Sequence, residues 1–254
     1  MHLKSDDIIR LEIEYTTGEV PPPFSHVFKL KMSFGKNFVN TQFDIHYTGR
    51  EDLSPEEIID EGFTMADDYS YKGEIPKLWE NVFKKLYSAS KWSNQKTLGE
   101  KGGIKILAKD THGKITRDIP LNQEDWYLTC QDFIQAIYEI SKKEAPLGIR
   151  FKSIGQEGLA DIELLYRFSI RKVEAKVNDQ VKPLEWDEGR SLASLIFIPD
   201  YDYTLASEDQ PIETGNYLDC GDGLWHNFNT GIINLDPEFD AKGKILEAFR
   251  NLSS

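Results

Sequence analysis

The chain has 254 residues, of which 39% are apolar and 29% charged, and it carries a formal net charge of −13 at pH 7. The aromatic fraction of 12% is too high for an intrinsically disordered chain, so we expect a packed core in one large domain or two small ones. The acidic balance argues against nucleic acid and against an anionic membrane surface as partners, because binding to phosphates needs a basic face.

The compartment is indicated by the N-terminus and by the cysteines. The chain starts without the apolar core of a signal peptide, and its longest apolar run, 192–198, is too short to span a bilayer. Cys130 falls on the apolar stripe of a predicted helix, ninety positions before Cys220. This favours free thiols in a reducing compartment over a long-range disulfide. The sequence therefore predicts a cytoplasmic protein.

The first elements in chain order are strands. Apolar and polar residues alternate with a period of two over 9–15, 28–34 and 43–47, and this pattern places Ile9 and Leu11 on the same buried face. Short polar connections separate the three stretches. The pattern predicts an antiparallel meander with one face in water.

Helical signals follow. Residues 54–57 read Ser-Pro-Glu-Glu, the pattern of a capping box with proline at the first helical position. A longer amphipathic helix is predicted over 76–91. The stretch 93–103 is polar and contains glycines, which makes it the best candidate for a linker. A turn sequence at 110–113 between two apolar stretches then predicts a β-hairpin.

A long amphipathic helix is predicted over 122–145, and the rest of the chain is expected to be arranged around it. Asn122 is predicted to cap its first turn, and Asp132 is predicted to lie on its polar side. Its apolar stripe consists of Trp126, Cys130, Phe133, Ile137 and Ile140. Such a stripe must pack against a broad apolar surface.

The last third of the chain returns to strands. Alternation predicts strands over 148–154 and 162–170, with a bulge near Lys172 where the phase of the pattern changes. A short apolar run at 195–198 predicts a buried strand. A last amphipathic helix is predicted from Asp236 onward.

These elements predict an α+β fold with mainly antiparallel sheet and amphipathic helices packed on one face. Strict alternation of strands and helices, which a parallel βαβ fold requires, is absent. We expect one compact unit over 1–254. The alternative is two lobes, 1–92 and 104–254, joined by a linker at 93–103.

Charge is concentrated in residues 183–241, here called the acidic region. It contains thirteen acidic residues against one base, Arg190, and therefore a net charge of −12. A solvated surface on long loops would explain this composition. Long loops with aromatics and acids also form recognition surfaces, and this one would suit a basic protein partner. The candidate binding residues are Tyr201, Tyr203, Trp225 and Asn227.

The loop 219–226 has the densest mixture of reactive side chains. Asp219 and Asp222 stand beside glycines and could hold Ca²⁺, although the spacing of an EF-hand is absent and no cofactor is the default expectation. The same two carboxylates could act as general acid and base in a hydrolase. Cys220 and His226 could form a nucleophile–base pair. A tight glycine turn explains these residues without chemistry.

Motifs with a defined mechanism do not occur in the chain. There is no C-x-x-C, H-E-x-x-H, P-loop or G-x-S-x-G sequence. We therefore expect a non-enzymatic binding protein that uses the acidic region. A hydrolase using the paired carboxylates of the 219–226 loop is the alternative.

Overall fold

The structure, a computed structural model, describes residues 2–155 and 158–253. The chain divides into two units, Met1–Lys143 and Glu144–Ser254. Within the described residues, no helix is both long and apolar enough to cross a membrane.

The stretch 93–103, considered as a linker in the two-lobe alternative, lies inside the first unit. The amide of Ser93 donates to the carbonyl oxygen of Ile119, and the amide of Glu19 donates to that of Glu100. These hydrogen bonds tie the stretch to neighbouring parts of the same unit. Two compact units, and not the single compact unit expected over 1–254, therefore describe the chain.

Within the described residues, the first unit contains one antiparallel sheet and three α-helices. Its strands are β1 (Ile8–Thr16), β2 (His26–Phe34), β3 (Phe38–Tyr47), β4 (Tyr69–Pro76), β5 (Gly103–Asp110) and β6 (Ile115–Asp118). Its helices are α1 (Pro55–Asp60), α2 (Leu78–Ala89) and α3 (Gln123–Ile140). The strands lie in the order β4-β3-β2-β1-β5-β6.

The second unit has a similar composition of elements. Its strands are β7 (Leu147–Gly155), β8 (Gly158–Arg167), β9 (Lys172–Val177), β10 (Gln180–Leu184), β11 (Asp200–Tyr201), β12 (Gly215–Asp219), β13 (His226–Asn227) and β14 (Ile232–Ile233). Its helices are α4 (Trp186–Ile196) and α5 (Ala241–Ser253). The main sheet has the order β10-β9-β8-β7-β12-β13, and β11 pairs with β14 separately.

The two main sheets share one topology. In each, four strands form an antiparallel meander, a helix follows, and two later strands add beside the first strand of the meander before a last helix. In the second unit, β11 precedes these two strands and β14 follows them. The predicted α+β class with mainly antiparallel sheet is therefore confirmed, and the two units share one strand order.

The apolar face of the first sheet arises from alternation along β1, with one correction. Leu11 and Ile13 are buried as predicted, but Ile8 is buried in place of Ile9. The register between β1 and β5 shifts between Ile8 and Arg10. This bulge adds a residue to one strand and turns the side chains before it to the opposite face.

Helices α2 and α3 pack together through aromatic rings. The ring of Phe133 lies 5.0 Å from that of Trp79 and 5.2 Å from that of Phe83, both edge to face. From the same helix α3, Tyr138 meets Phe43 of β3 at 6.2 Å. Burying each large apolar side chain contributes roughly 1.5–3 kcal/mol, so these contacts stabilise the packing of α3 in the first unit.

Two details predicted for α3 are wrong. Asn122 makes no side-chain cap, since its amide nitrogen donates to Asp125 and its oxygen has no partner. Asp132, expected on the polar side, is buried. By contrast, the capping box at 54–57 is confirmed, because Ser54 and Glu57 each accept a hydrogen bond from the backbone amide of the other.

In the second unit, the predicted buried strand at 195–198 is wrong. Residues 195 and 196 end helix α4, and Phe197 and Ile198 are exposed. A short apolar run is compatible with a strand and with the end of a helix. Here it ends helix α4, which packs through Trp186 and Leu192.

Two further boundaries differ from prediction. The expected bulge near Lys172 is instead a turn between two separate strands, β8 and β9, which pair with each other. Within this turn, Arg171 has a φ of 47°. The last helix starts at Ala241 and not at Asp236. There, Phe249 stacks on Phe151 with ring centroids 4.3 Å apart.

Candidate functional site

The acidic region lies entirely in the second unit. It includes α4, and most of the rest forms short strands and connections. Strand β12 extends the main sheet beside β7, and β13 forms its edge. The β11–β14 pair contacts this edge, because the ring of Tyr201 lies 5.0 Å from the ring of His226.

His226 is enclosed at the β13 edge. It pairs with Leu218 in the sheet and is 1% exposed. Its ring packs edge to face against Tyr201 and, at 5.2 Å, against Tyr203. Neither ring nitrogen has a hydrogen-bond partner among the described residues. His226 therefore contributes to the packing of this edge.

Cys220 lies next to the same aromatic group. Burial raises the pKa of its thiol to about 12, although a hydrogen bond with Tyr201 opposes the shift. Since the thiolate is the nucleophilic form, such a thiol is unreactive near neutral pH. Cys220 also makes no hydrogen bond with His226. The structure does not form the nucleophile–base pair considered from the sequence. Both cysteines are free thiols.

Asp219 holds the loop after β12 to strand β7. It is 2% exposed, and one carboxylate oxygen accepts from Arg150, with Nε at 2.8 Å. The other oxygen accepts from the amides of Gly221 at 2.8 Å and Gly223 at 3.1 Å. The Arg150 guanidinium also lies 5.0 Å from the ring centroid of Trp225. With both oxygens engaged, Asp219 has a structural role.

Asp222 is in a different environment, since it is exposed and accepts only a local bond from the amide of Leu224. The described residues contain no group of three or more His, Cys, Asp or Glu side chains arranged to hold a metal ion. Asp219 and Asp222 thus lie in different environments, one buried and engaged by protein donors and the other exposed.

The predicted binding residues are divided between the interior and the surface. Trp225 is buried, and Asn227 is half-buried and accepts from the amide of Asn229. Tyr201 is half-buried, and its hydroxyl donates to the carbonyl oxygen of Ile196. Tyr203, at 62% exposure, is the one of the four that presents its ring to solvent.

Two neighbouring chain segments, 197–205 and 231–235, carry exposed large apolar side chains, and this part of the second unit is here called the apolar corner. Pairing of Asp200 with Ile233, and a hydrogen bond from the amide of Asp202 to the carbonyl oxygen of Gly231, join its two chain segments. Phe197 is 56% exposed and Leu235 66%. The apolar corner consists of Phe197, Ile198, Tyr203, Leu205, Ile233 and Leu235.

Carboxylates lie beside the apolar corner. Burial, and then the charges of Asp222 and Asp200, raise the pKa of Tyr203. Asp202 caps the turn that carries Tyr203, accepting from the amide of Thr204. Acidic residues therefore lie near Tyr203.

Sequence reasoning missed most of the apolar corner because it placed Phe197 and Ile198 in a buried strand. The sequence did contain a signal for this helix, because Trp186, Leu192 and Ile196 recur at helical spacing. That periodicity places Phe197 after the last buried residue of the helix. Ile233 lies in a two-residue strand, which is too short to show any period.

Comparison of the chain with protein-family models, with curated proteins and with solved structures found no match. The class of protein is therefore defined by the fold and the surface alone. It is a tandem antiparallel α+β protein whose second unit presents an apolar corner within a strongly acidic region.

Proposed function

We propose that this chain is a non-enzymatic binding protein, and that its apolar corner with the surrounding carboxylates docks onto a basic protein. The observation that supports this proposal is the exposure of six large apolar side chains within a region of net charge −12. Apolar anchors surrounded by polar groups are typical of protein interfaces.

The chemistry of the partner follows from the two components of this surface. Apolar side chains such as Leu235 and Phe197 gain free energy when a partner covers them, so the partner needs an apolar patch. The carboxylates of Asp200 and Asp222 favour lysines and arginines around that patch. Attraction of this kind speeds association and weakens as salt is added.

A catalytic function receives less support. Both oxygens of Asp219 accept hydrogen bonds from protein groups, and the raised pKa of Cys220 keeps its thiol protonated near neutral pH. A binding role needs neither group to react, and we infer that they stabilise the edge that carries Tyr203.

The proposal is tested with fluorescent peptides rich in lysine and arginine, with and without leucines. We expect the leucine-containing peptides to bind the wild-type chain in a saturable and salt-sensitive manner. Replacing Ile233 by Thr and Leu235 by Ser should weaken binding by about tenfold, since anchor residues typically contribute more than about 1 kcal/mol each.

A variant with fewer carboxylates distinguishes the electrostatic effect on the association rate from the contribution of the apolar side chains to affinity. Asp200→Asn, Asp202→Asn, Glu208→Gln and Asp209→Asn together remove four charges and should mainly slow association. The matched control removes four exposed acids of the first unit by Glu51→Gln, Asp52→Asn, Glu56→Gln and Glu61→Gln. The proposal is contradicted if the wild-type chain shows no saturable binding at low salt. It is also contradicted if the acidic-region variant and the first-unit control lose the same amount of peptide affinity.

A further inference from the structure

A groove of about 510 Å³ lies on the polar face of the first sheet. Its shape follows from strand register, because Arg10, Ser33, Asn40 and Glu74 stand in one row across β1, β2, β3 and β4. Short side chains occupy the middle of the row and long ones its ends. This difference in length leaves a depression above Ser33 and Asn40.

The neighbouring row supplies positive charge. Lys31 on β2 stands opposite Gln42 on β3, which stands opposite Lys72 on β4. Since adjacent strands lie about 4.8 Å apart, the two lysine backbones are roughly 10 Å apart. Their side chains are long and flexible, so both ammonium groups can approach one anion above Gln42.

In the strand register, Glu12 of β1 stands opposite Lys31. In the described part of the chain, no ion pair engages Lys31 or Lys72, although Lys31 is half-buried. The nearby carboxylate of Glu12 is paired with Arg10 at 2.7 Å. Among the described residues that line the groove, Glu74 is the one acid against three bases.

Neutral donors complete the lining. The hydroxyl of Ser33 and the side-chain amides of Asn40 and Gln42 line the groove beside the lysines. The Nε–H of Arg10 is buried and has no acceptor among the described residues. A buried donor without an acceptor is unfavourable.

We propose that this groove binds a small organic anion that carries phosphate or carboxylate groups. Lys31 and Lys72 bind its charged oxygens, and the amides of Asn40 and Gln42 donate to them. Glu74 accepts from a hydroxyl or amino group elsewhere on the ligand. This site is separate from the apolar corner and does not depend on the function proposed for it.

The net charge of the chain does not oppose this site. Exposed charges are screened beyond about 10 Å at 0.1 M salt, so a small ligand responds mainly to the local bases. A long polyanion would extend onto the rest of an acidic protein. The ligand is therefore of small-molecule size.

Calorimetric titration of the full chain with inorganic pyrophosphate and with citrate tests the proposal. We expect saturable binding with one ligand per chain for at least one probe. Lys31→Gln and Lys72→Gln should each weaken it by about tenfold, as expected for loss of a charge-assisted hydrogen bond. The matched control, Lys36→Gln with Lys114→Gln, removes two exposed lysines outside the groove and should leave binding unchanged.

The relative affinities identify the ligand class. Tighter binding of pyrophosphate assigns a phosphate ligand, and tighter binding of citrate assigns a carboxylate ligand. In both cases the side-chain amide NMR signals of Asn40 and Gln42 should shift during the titration. The proposal is overturned if neither probe binds saturably, or if the control loses as much affinity as the Lys31 and Lys72 variants. The proposal is also overturned if a poly-glutamate peptide binds whereas pyrophosphate and citrate do not, because the groove would then fit a protein partner.

Discussion

At the residue scale, the carboxylate of Asp219 joins two parts of the second unit. Arg150 of β7 and the amides of Gly221 and Gly223 all donate to it. Asp219→Asn keeps an acceptor for the amides but leaves the guanidinium without its charge partner. We expect the free energy of unfolding to fall by about 1.5–3 kcal/mol, measured by urea denaturation.

The matched control for this variant is Asp222→Asn. Asp222 is exposed and accepts one local bond, so its replacement should change stability by less than about 0.5 kcal/mol. Equal effects of the two substitutions would show that the Arg150–Asp219 pair does not stabilise the fold.

Cys220 makes a second prediction at this scale. Burial raises the pKa of its thiol from 9.0 to about 12, so the folded state holds the proton more tightly than the unfolded state does. This contribution to stability is complete below pH 9 and is lost as the pH rises toward 12. The urea midpoint of unfolding should therefore fall less steeply with rising pH in the Cys220→Ala variant than in the wild-type chain.

Thiol reactivity gives an independent measurement of the same environment. The native chain should react slowly with a thiol reagent at pH 8, since burial raises the pKa of both Cys130 and Cys220. Both should react fast in denaturant. Rapid labelling of Cys220 in the folded chain would contradict the burial described for it.

At the element scale, α4 approaches the sheet through Gly189. A methyl group at this position would lie 2.7 Å from Val173 Cγ2 on β9. Alanine favours a helix over glycine by about 1 kcal/mol, but overpacking costs about 1–3 kcal/mol. We expect Gly189→Ala to lower the melting temperature in spite of its better helix propensity.

A double-mutant cycle tests this explanation. Val173→Ala removes the methyl groups that clash, so it should restore part of the stability lost in Gly189→Ala. Ser194→Ala is the control, because Ser194 is exposed on the same helix. A Gly189→Ala chain as stable as the Ser194→Ala chain would show that α4 can shift away from β9 at little expense.

At the scale of the whole molecule, each unit has its own sheet and its own packed helices. The boundary residues 142–146 are exposed and include Lys142 and Lys143. Limited trypsin digestion should therefore cut there first and yield two stable fragments. Cleavage first within 93–103, or the absence of any stable fragment, would contradict independent folding of the two units.

Elements with strong local signals could be predicted from the amino-acid pattern. The capping box at Ser54 depends on hydrogen bonds between residues three apart, and the hairpin of β5 and β6 depends on a short turn. The stripe of α3 depends on neighbours three or four positions apart. Each of these interactions lies within a few residues, where composition and spacing decide the outcome.

The surfaces that these elements form depend on long-range contacts, which the amino-acid pattern does not predict. Asp219 meets Arg150 across 69 positions, and the anion groove requires Arg10 and Glu74 in one row of the sheet. The repeated topology is visible only in the strand order. Strand pairing and burial depend on contacts between residues far apart in the chain, and a local pattern carries no record of which strands become neighbours.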